Sequence, residues 1–317
     1  MKLLITGASG LLGINLAMEA MRAHEVIGVD RGKLKSAPFS VIKADLLHRN
    51  AIDSVLDLTQ PDWLINCAAL ANLEECEEYP DRAKILNTDL PRELASACAN
   101  RNIRFVHLST DAVFDGTKEG LYTEQDEPGP QGVYSKTKLD GEGAVMDAHP
   151  NAIIARVNFY GWSLSGKRSL GEFFVNNLSE GKNVNGFTDV IFCPMWVNHL
   201  AQTLIAMLKK DLSGLYHVVG AQAMSKYQFG VEVAARSERA APPREGCTRR
   251  ARLDSPHACR PRSRAPWSCG CAVATRRRRS RCLYVARSRG GPPTARRRRP
   301  AARAQLDALP PADHDAR

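Results

Sequence analysis

The chain alternates short apolar runs with amphipathic stretches. KLLIT (2–6), EVIGVD (25–30), FSVIKAD (39–45), DWLINCAA (62–69), RFVHLST (104–110) and AIIARV (152–157) are brief and rich in aliphatic side chains. This is the pattern of strands covered on both faces. Between them lie segments with apolar residues three and four apart: the run from GASGLLG to Met21, AIDSVLDL (51–58), DRAKILNTDLPRELASACANR (81–101) and VYSKTKLDGEGAVMDAH (133–149). These predict helices. Pro91 falls near the middle of the third, so a break or kink is expected there. Strands alternating with helices imply right-handed crossovers and a doubly wound parallel sheet, an α/β fold.

Beyond Val157 the pattern loosens. SLGEFFVNNLSEG (169–181) and VNHLAQTLIAMLKKD (197–211) read as helices, GLYHVVG (214–220) as a strand and SKYQFGVEVAA (225–235) as the start of a helix capped by Ser225. Residues 1–157, which open on the strand, glycine turn and helix of TGASGLLG (6–13), are expected to form a dinucleotide-binding domain of Rossmann type. Residues 158–235 are expected to form a small, incomplete substrate-binding region. No stretch approaches the roughly 18 apolar residues of a membrane span, and MKLLITGASG reaches a glycine turn too soon for a secretion signal. A cytoplasmic protein without membrane contact is expected. Cys67, Cys76, Cys98 and Cys193 show no metal spacing and read as free thiols in a reducing compartment.

Charge changes the picture at one place. The whole chain carries a formal net charge of +10, which taken alone suggests a nucleic-acid binder. Residues 236–317 hold 22 arginines, no lysine and six acids, a net of +16, so residues 1–235 net −6. The body is a mildly acidic globular protein, and its basicity comes from the tail.

The chemistry sits in the body. TGASGLLG places Gly7, Gly10 and Gly13 after a strand and at the opening of a helix. Such glycines permit a tight turn and close approach to a pyrophosphate, which Ser9, Leu11 and Leu12 would also border at the helix N-terminus. Asp30 ends the second strand, where an acid binds the adenosine ribose and disfavours a 2′-phosphate. Arg31 follows and pairs with that phosphate, or is a solvated surface charge. Asp45, with Leu46 beside it, either contacts the adenine or caps a helix. Tyr134 and Lys138 in YSKTK are four apart, on one face of a helix. A tyrosine of pKa ~10 is a poor acid near neutrality, and a neighbouring ammonium stabilises its phenolate. The pair then suits proton transfer to a carbonyl oxygen.

TGASGLLG, LINCAAL, LNTDLPRELASACANRNIRFVHLSTDAVFDG, YSKTKLDGE and RVNFYGW together resemble the extended short-chain dehydrogenase/reductases. Within them the body is similar to the dTDP-4-dehydrorhamnose reductases and related sugar-nucleotide enzymes. The resemblance covers residues 1 to about 235. It implies Tyr134 as proton donor, Lys138 on the nicotinamide ribose and Thr110 as the hydroxyl that polarises the carbonyl. Ser109 is the rival hydroxyl, but strand alternation turns the two opposite ways. The resemblance also implies NADP or NAD (as NADPH or NADH), a cofactor wall at Cys67, Ala68 and Ala69, and a nucleotide-sugar substrate near Asp111, Arg156, Asn158 and Trp162. Arg156 faces the nucleotide diphosphate or forms a structural salt bridge. The dehydratase branch carries an acidic pair after the threonine. Here Ala112 breaks it, which favours simple carbonyl reduction. A homodimer is a possible assembly.

The expected function is thus NAD(P)H-dependent reduction of a 4-keto nucleotide-linked deoxysugar. The alternatives are a non-catalytic dinucleotide-binding subunit, like the regulatory subunit of methionine adenosyltransferase, and an epimerase or dehydratase. After Ala235 the family pattern and the apolar periodicity both stop. Residues 236–317 contain no Lys, Asn, Ile, Phe or Met, all residues with codons rich in A and T. That is the composition of a GC-rich gene read in a shifted frame. A frameshift near residue 235, giving a disordered Arg-rich tail, is the expectation. The rival is a genuine basic arm for nucleic acid; its CGC and Cys259 with His257 lack a zinc spacing, and nucleic acid is not the partner expected.

Overall fold

The computed structural model describes residues 1–32, 34 and 36–240, with side chains to residue 236. The arginine-rich tail beyond residue 240, and the disorder expected of it, lie outside the described residues.

Seven parallel strands form the central sheet. They are β1 (Lys2–Thr6), β2 (Glu25–Asp30), β3 (Ser40–Lys43), β4 (Trp63–Asn66), β5 (Arg104–Thr110), β6 (Ile153–Val157) and β10 (Gly214–Val218), in the order β10-β6-β5-β4-β1-β2-β3. Among the described residues four further strands, β7 (Phe159–Tyr160), β8 (Ile191–Phe192), β9 (Met195–Trp196) and β11 (Met224–Ser225), make two small pairs outside it, β7 with β9 and β8 with β11. The direction of winding reverses between β1 and β4, and ligands in such sheets gather outside the carboxyl ends at that switch. GLYHVVG, placed with the looser region by its sequence, returns to the main sheet: Gly214–Val218 pairs in register with Ile153–Val157.

Both faces are covered, which is why the strands read as unbroken apolar runs. One face packs Leu3, Ile5, Val106 and Ile153 against α1 (Leu11–Ala20) and α8 (Val197–Lys209) through Leu16, Ala17, Leu200 and Leu204. The other packs Leu4, Leu64, Phe105 and Ile154 against α2 (Ala51–Thr59), α5 (Leu90–Ala99) and α6 (Val133–Ala148) through Leu56, Leu94 and Val145.

The long helix expected over 81–101 is three pieces. Behind the short α3 (Leu73–Glu78), α4 (Pro80–Lys84) runs into a π-helical turn (Ile85–Asp89), and α5 follows with Pro91 in its first turn. Pro91 has no N–H to donate, and its ring would meet the carbonyl of Asn87 in a regular helix. The wider turn relieves that clash one turn earlier than the proline itself. It also brings the Asn87 carbonyl against α6, where only Gly141 fits: a Cβ there would lie 2.2 Å from that oxygen.

Beyond β7, α7 (Leu170–Ser179) and α9 (Lys226–Ala240) close on a separate apolar cluster of Phe174, Val184, Phe192 and Phe229. Ser225 caps α9, accepting from Gln228 N–H at 3.0 Å while Gln228 Oε1 accepts from Ser225 N–H at 2.8 Å. Among the described residues no helix is long and apolar enough to cross a membrane.

Candidate functional site

The glycine turn between β1 and α1 leaves no space for a side chain at Gly7 or Gly13. Gly7 has φ +63°, and a Cβ on it would lie 2.9 Å from the backbone of Cys67 and Ala68. A Cβ on Gly13 would lie 2.3 Å from the Gly7 carbonyl oxygen. Gly10 N–H donates to that same oxygen at 2.9 Å, and Gly10 opens α1 with no side chain to cap it. The first N–H groups of the helix therefore carry its partial positive charge toward any anion placed on the turn. Leu12 is buried, and Leu11 and Ser9 border the turn.

Asp30 is buried at the end of β2. Its Oδ2 accepts from Ser9 N–H and its Oδ1 from Gly32 N–H, both at 3.1 Å. The carboxylate thus braces the glycine turn from the second strand. Arg31 beside it is exposed. Asp45 does not cap α2, whose N-cap is Asn50. It accepts from Leu47 N–H at 3.1 Å in a turn that precedes the helix, with Leu46 buried in the core. Across the switch, Cys67 and Ala68 lie half-buried against Gly7, while Ala69 is exposed. Burial pushes the Cys67 thiol up to about 12, opposed by the charge of nearby Lys138.

Tyr134 and Lys138 lie one turn apart on α6. Tyr134 packs against the apolar cluster of that face. Lys138 is buried, and its Nζ reaches the Leu108 carbonyl of β5 and lies 3.3 Å from His107 Nε2. Burial pulls Lys138 down to about 8, with Glu142 the main opposing charge. Thr110, at the carboxyl end of β5, accepts from Ala112 N–H at 3.2 Å and donates to Asp111 Oδ1 at 3.3 Å. Ser109 faces the other way, donating to Glu142. Asp111 Oδ2 accepts from Asn158 Nδ2 at 2.6 Å. Burial is the main cause that pushes the Asp111 carboxyl up to about 6, against the hydrogen bonds from Asn158 and Thr110. Position 112 is a buried alanine, so no second acid follows Asp111.

The structure brings Thr110, Asp111 and Asn158 together and separates Arg156 from them. Arg156 is buried in a two-pronged ion pair, Nε to Glu142 Oε1 at 2.9 Å and Nη2 to Oε2 at 2.7 Å, with its guanidinium carbon 5.0 Å from the Phe114 ring centre. Its substrate-binding assignment is corrected on that ground: the fork that would grip a diphosphate already grips a carboxylate. Trp162 is 53% exposed, and its carbonyl accepts from Asn15 Nδ2 of α1 at 2.9 Å, so it borders the first turns of that helix.

Three polar residues of the site, Asn87, Glu142 and His107, were not assigned from sequence, and Asn66 was read only as backbone of the cofactor wall. Asn87 Oδ1 accepts from Leu70 N–H at 2.9 Å and its Nδ2 donates to Leu70 O at 3.0 Å, which fixes the chain leaving β4. Glu142 holds Ser109 and Arg156. Asn66 and His107 link the side chains of β1, β4 and β5. Glu142, four residues after Lys138, was the most visible of these, since it continues the Tyr134–Lys138 face of the helix.

A family model described as the RmlD substrate binding domain matches residues 1–265. The probable low-salt glycan biosynthesis reductase Agl14 of Haloferax volcanii is 34% identical over 234 residues, covering 72% of this chain and 78% of that protein. The dTDP-4-keto-6-deoxy-D-glucose reductase of Streptomyces niveus is 33% identical over 233 residues, covering 71% and 75%. A crystal structure of dTDP-4-dehydrorhamnose reductase from Bacillus anthracis in complex with NADP superposes with a TM-score of 0.67 at 25% identity, over 75% of this chain and 81% of that one. The chain belongs to the RmlD substrate-binding family, a reductase branch of the extended short-chain dehydrogenase/reductases.

Proposed function

We propose that the protein reduces the 4-keto carbon of a nucleotide-linked deoxysugar with NADPH or NADH, as a dTDP-4-dehydrorhamnose reductase-like enzyme. The observation that carries this reading is the meeting of α6 and β5. Lys138 is anchored to the β5 backbone two residues before Thr110, and Tyr134 stands one turn away. Thr110 ends β5 at the carboxyl edge of the sheet, where ligands of such folds gather, and this supports setting the three residues beside cofactor and substrate.

The glycine turn fits a dinucleotide. Its packing excludes a Cβ at Gly7 and Gly13, and the uncapped start of α1 suits a pyrophosphate. Asp30 would face the adenosine ribose, and exposed Arg31 would meet a 2′-phosphate, so both cofactors stay within the proposal. Cys67, Ala68 and Ala69 would line the other side. The nicotinamide, when bound, supplies the hydride.

The chain's own residues handle the oxygen. Thr110 would turn its one O–H from Asp111, a long bond at 3.3 Å, and donate it to this oxygen as negative charge develops. Tyr134 delivers the proton, and the Lys138 ammonium stabilises the phenolate left behind. Asp111 and Asn158, already joined, present acceptor and donor atoms to the sugar.

The test is consumption of NADPH and of NADH with a panel of dTDP-4-keto sugars. Tyr134→Phe should lower kcat by about 10²- to 10⁴-fold while cofactor still quenches the intrinsic fluorescence. Cofactor binding without turnover of any ketone would favour the regulatory-subunit reading instead. A Tyr134→Phe variant as fast as the parent would overturn the assignment of the proton donor.

A further inference from the structure

Behind the catalytic lysine a line of buried side chains crosses three strands. Thr6 Oγ1 donates to Asn66 Oδ1 at 2.6 Å, and Ala68 N–H donates to the same oxygen at 3.2 Å. A backbone N–H can only donate, so the atom facing it is the amide oxygen. The amide nitrogen of Asn66 then faces His107 Nδ1 at 3.3 Å. That nitrogen is a donor only, so Nδ1 must accept. The neutral ring consequently carries its proton on Nε2. Burial, reinforced by the charge of Lys138, holds His107 well below the usual imidazole range, so the ring is neutral. His107 Nε2 lies 3.3 Å from Lys138 Nζ.

We propose that His107 is a positioning residue for Lys138: Asn66 fixes its tautomer so that an N–H, not a lone pair, faces the lysine nitrogen. The proposal rests on the reading of Lys138 as part of the reductase site. An ammonium has three donors and no acceptor. One donor is taken by the Leu108 carbonyl. The imidazole N–H cannot accept a second, so the remaining donors are turned from the sheet toward Tyr134 and the cofactor ribose. The same N–H can be accepted by the neutral amine, which makes the amine competitive with the ammonium near neutral pH.

The other titratable groups facing Lys138 are few. Glu142, from its own helix, favours the ammonium, as does Cys67 from the chain after β4. Tyr134 is one turn away on α6. The π-helical turn packed on α6 brings Asn87 and Thr88, neither of which titrates; they bond to Thr137. Burial is what opposes Glu142 at Lys138, and His107, 3.3 Å away on β5, is the side chain there whose N–H would add to it.

Two readouts on the full-length chain test this without any turnover. Long-range proton–nitrogen correlation on the histidine rings should show His107 as the Nε2–H tautomer from about pH 6 to about pH 9. The lysine side-chain signals, assigned with Lys138→Met, should show Lys138 titrating near pH 8. In His107→Gln, whose amide oxygen can accept from the ammonium, that titration should rise by about one unit or more. In the NADPH assay the alkaline limb of kcat should move up with it while KM for the ketone stays unchanged. An Nδ1–H tautomer or an imidazolium in the unmodified chain would overturn the proposal. So would a Lys138 titration that His107→Gln leaves in place. Should His107→Gln fail to fold, the tautomer of the unmodified chain still decides. A chain that passes both measurements yet reduces no ketone would retain the His107–Lys138 contact as proposed and refute the reductase reading.

Discussion

At the scale of single residues, the site is built from side chains whose charge is set by burial. Asp111 shows the consequence most directly. Its carboxyl is pushed up to about 6 chiefly by burial, whereas an unfolded aspartate titrates near ~4. Between those limits the folded chain binds more protons than the unfolded one. Stability contributed by this group is therefore greatest at low pH, falls as pH rises from about 4 through about 6, and stays lower above. Asp111→Asn keeps the acceptor for Asn158 and removes the titration. Urea midpoints of variant and parent should coincide near pH ~4, and the variant should be the more stable above pH ~7. A parent without that slope would show that the carboxyl is hydrated rather than buried. Arg156 makes the complementary case. Arg156→Met would leave Glu142 buried and unpaired, with a loss of about 3–5 kcal/mol measured by denaturant unfolding, whereas a residue serving only to bind substrate would change KM and leave stability alone.

At the scale of elements, the contact that places α6 is a glycine against a carbonyl. Gly141 packs on the Asn87 oxygen too closely for any side chain, and both atoms are backbone, so neither helix can yield alone. Gly141→Ala should cost about 1–3 kcal/mol in unfolding free energy and lower kcat, because the same displacement moves Tyr134 and Lys138. If the variant matched the parent in both, α6 would not be held by this contact. This feature also marks where sequence reading stops. The six strands of the first 157 residues, the glycine turn and the Tyr134–Lys138 face were legible because each is a local pattern: apolar runs, a fixed glycine spacing, a four-residue repeat. The break at Pro91 was legible as a break. Its form was not, since a π-helical turn is chosen by what the freed carbonyl meets across space. Arg156 was readable as an arginine near the site but not as Glu142's partner, because the pairing joins α6 to β6. The strand at 214–218 was seen, yet its place beside β6 is a fact of topology that no local pattern encodes.

At the scale of the whole molecule, two descriptions of the C-terminal side have to be reconciled. The family model reaches residue 265, whereas the composition changes at residue 236. Up to that point the chain is packed, with α9 closing on α7 through Phe229 and Phe174. In the segments after β6, Trp162, Leu164, Phe173 and Val231 are exposed, Leu164 to 63%. Large apolar groups left exposed in these segments are what a further packed segment would bury. We infer that the gene encodes such a segment in another frame, and that 22 arginines with no lysine after residue 235 are the trace of a shift. Sequencing the gene and its transcript across this junction should reveal one inserted or deleted base. The chain translated from the corrected frame should unfold at a higher temperature than the present one and protect the 162–173 segment from proteolysis, since each large side chain newly buried adds about 1.5–3 kcal/mol. An uninterrupted frame that yields the arginine-rich segment would instead make that segment a genuine basic arm. Its binding to nucleic acid would then weaken steeply with added salt, as counterion release requires.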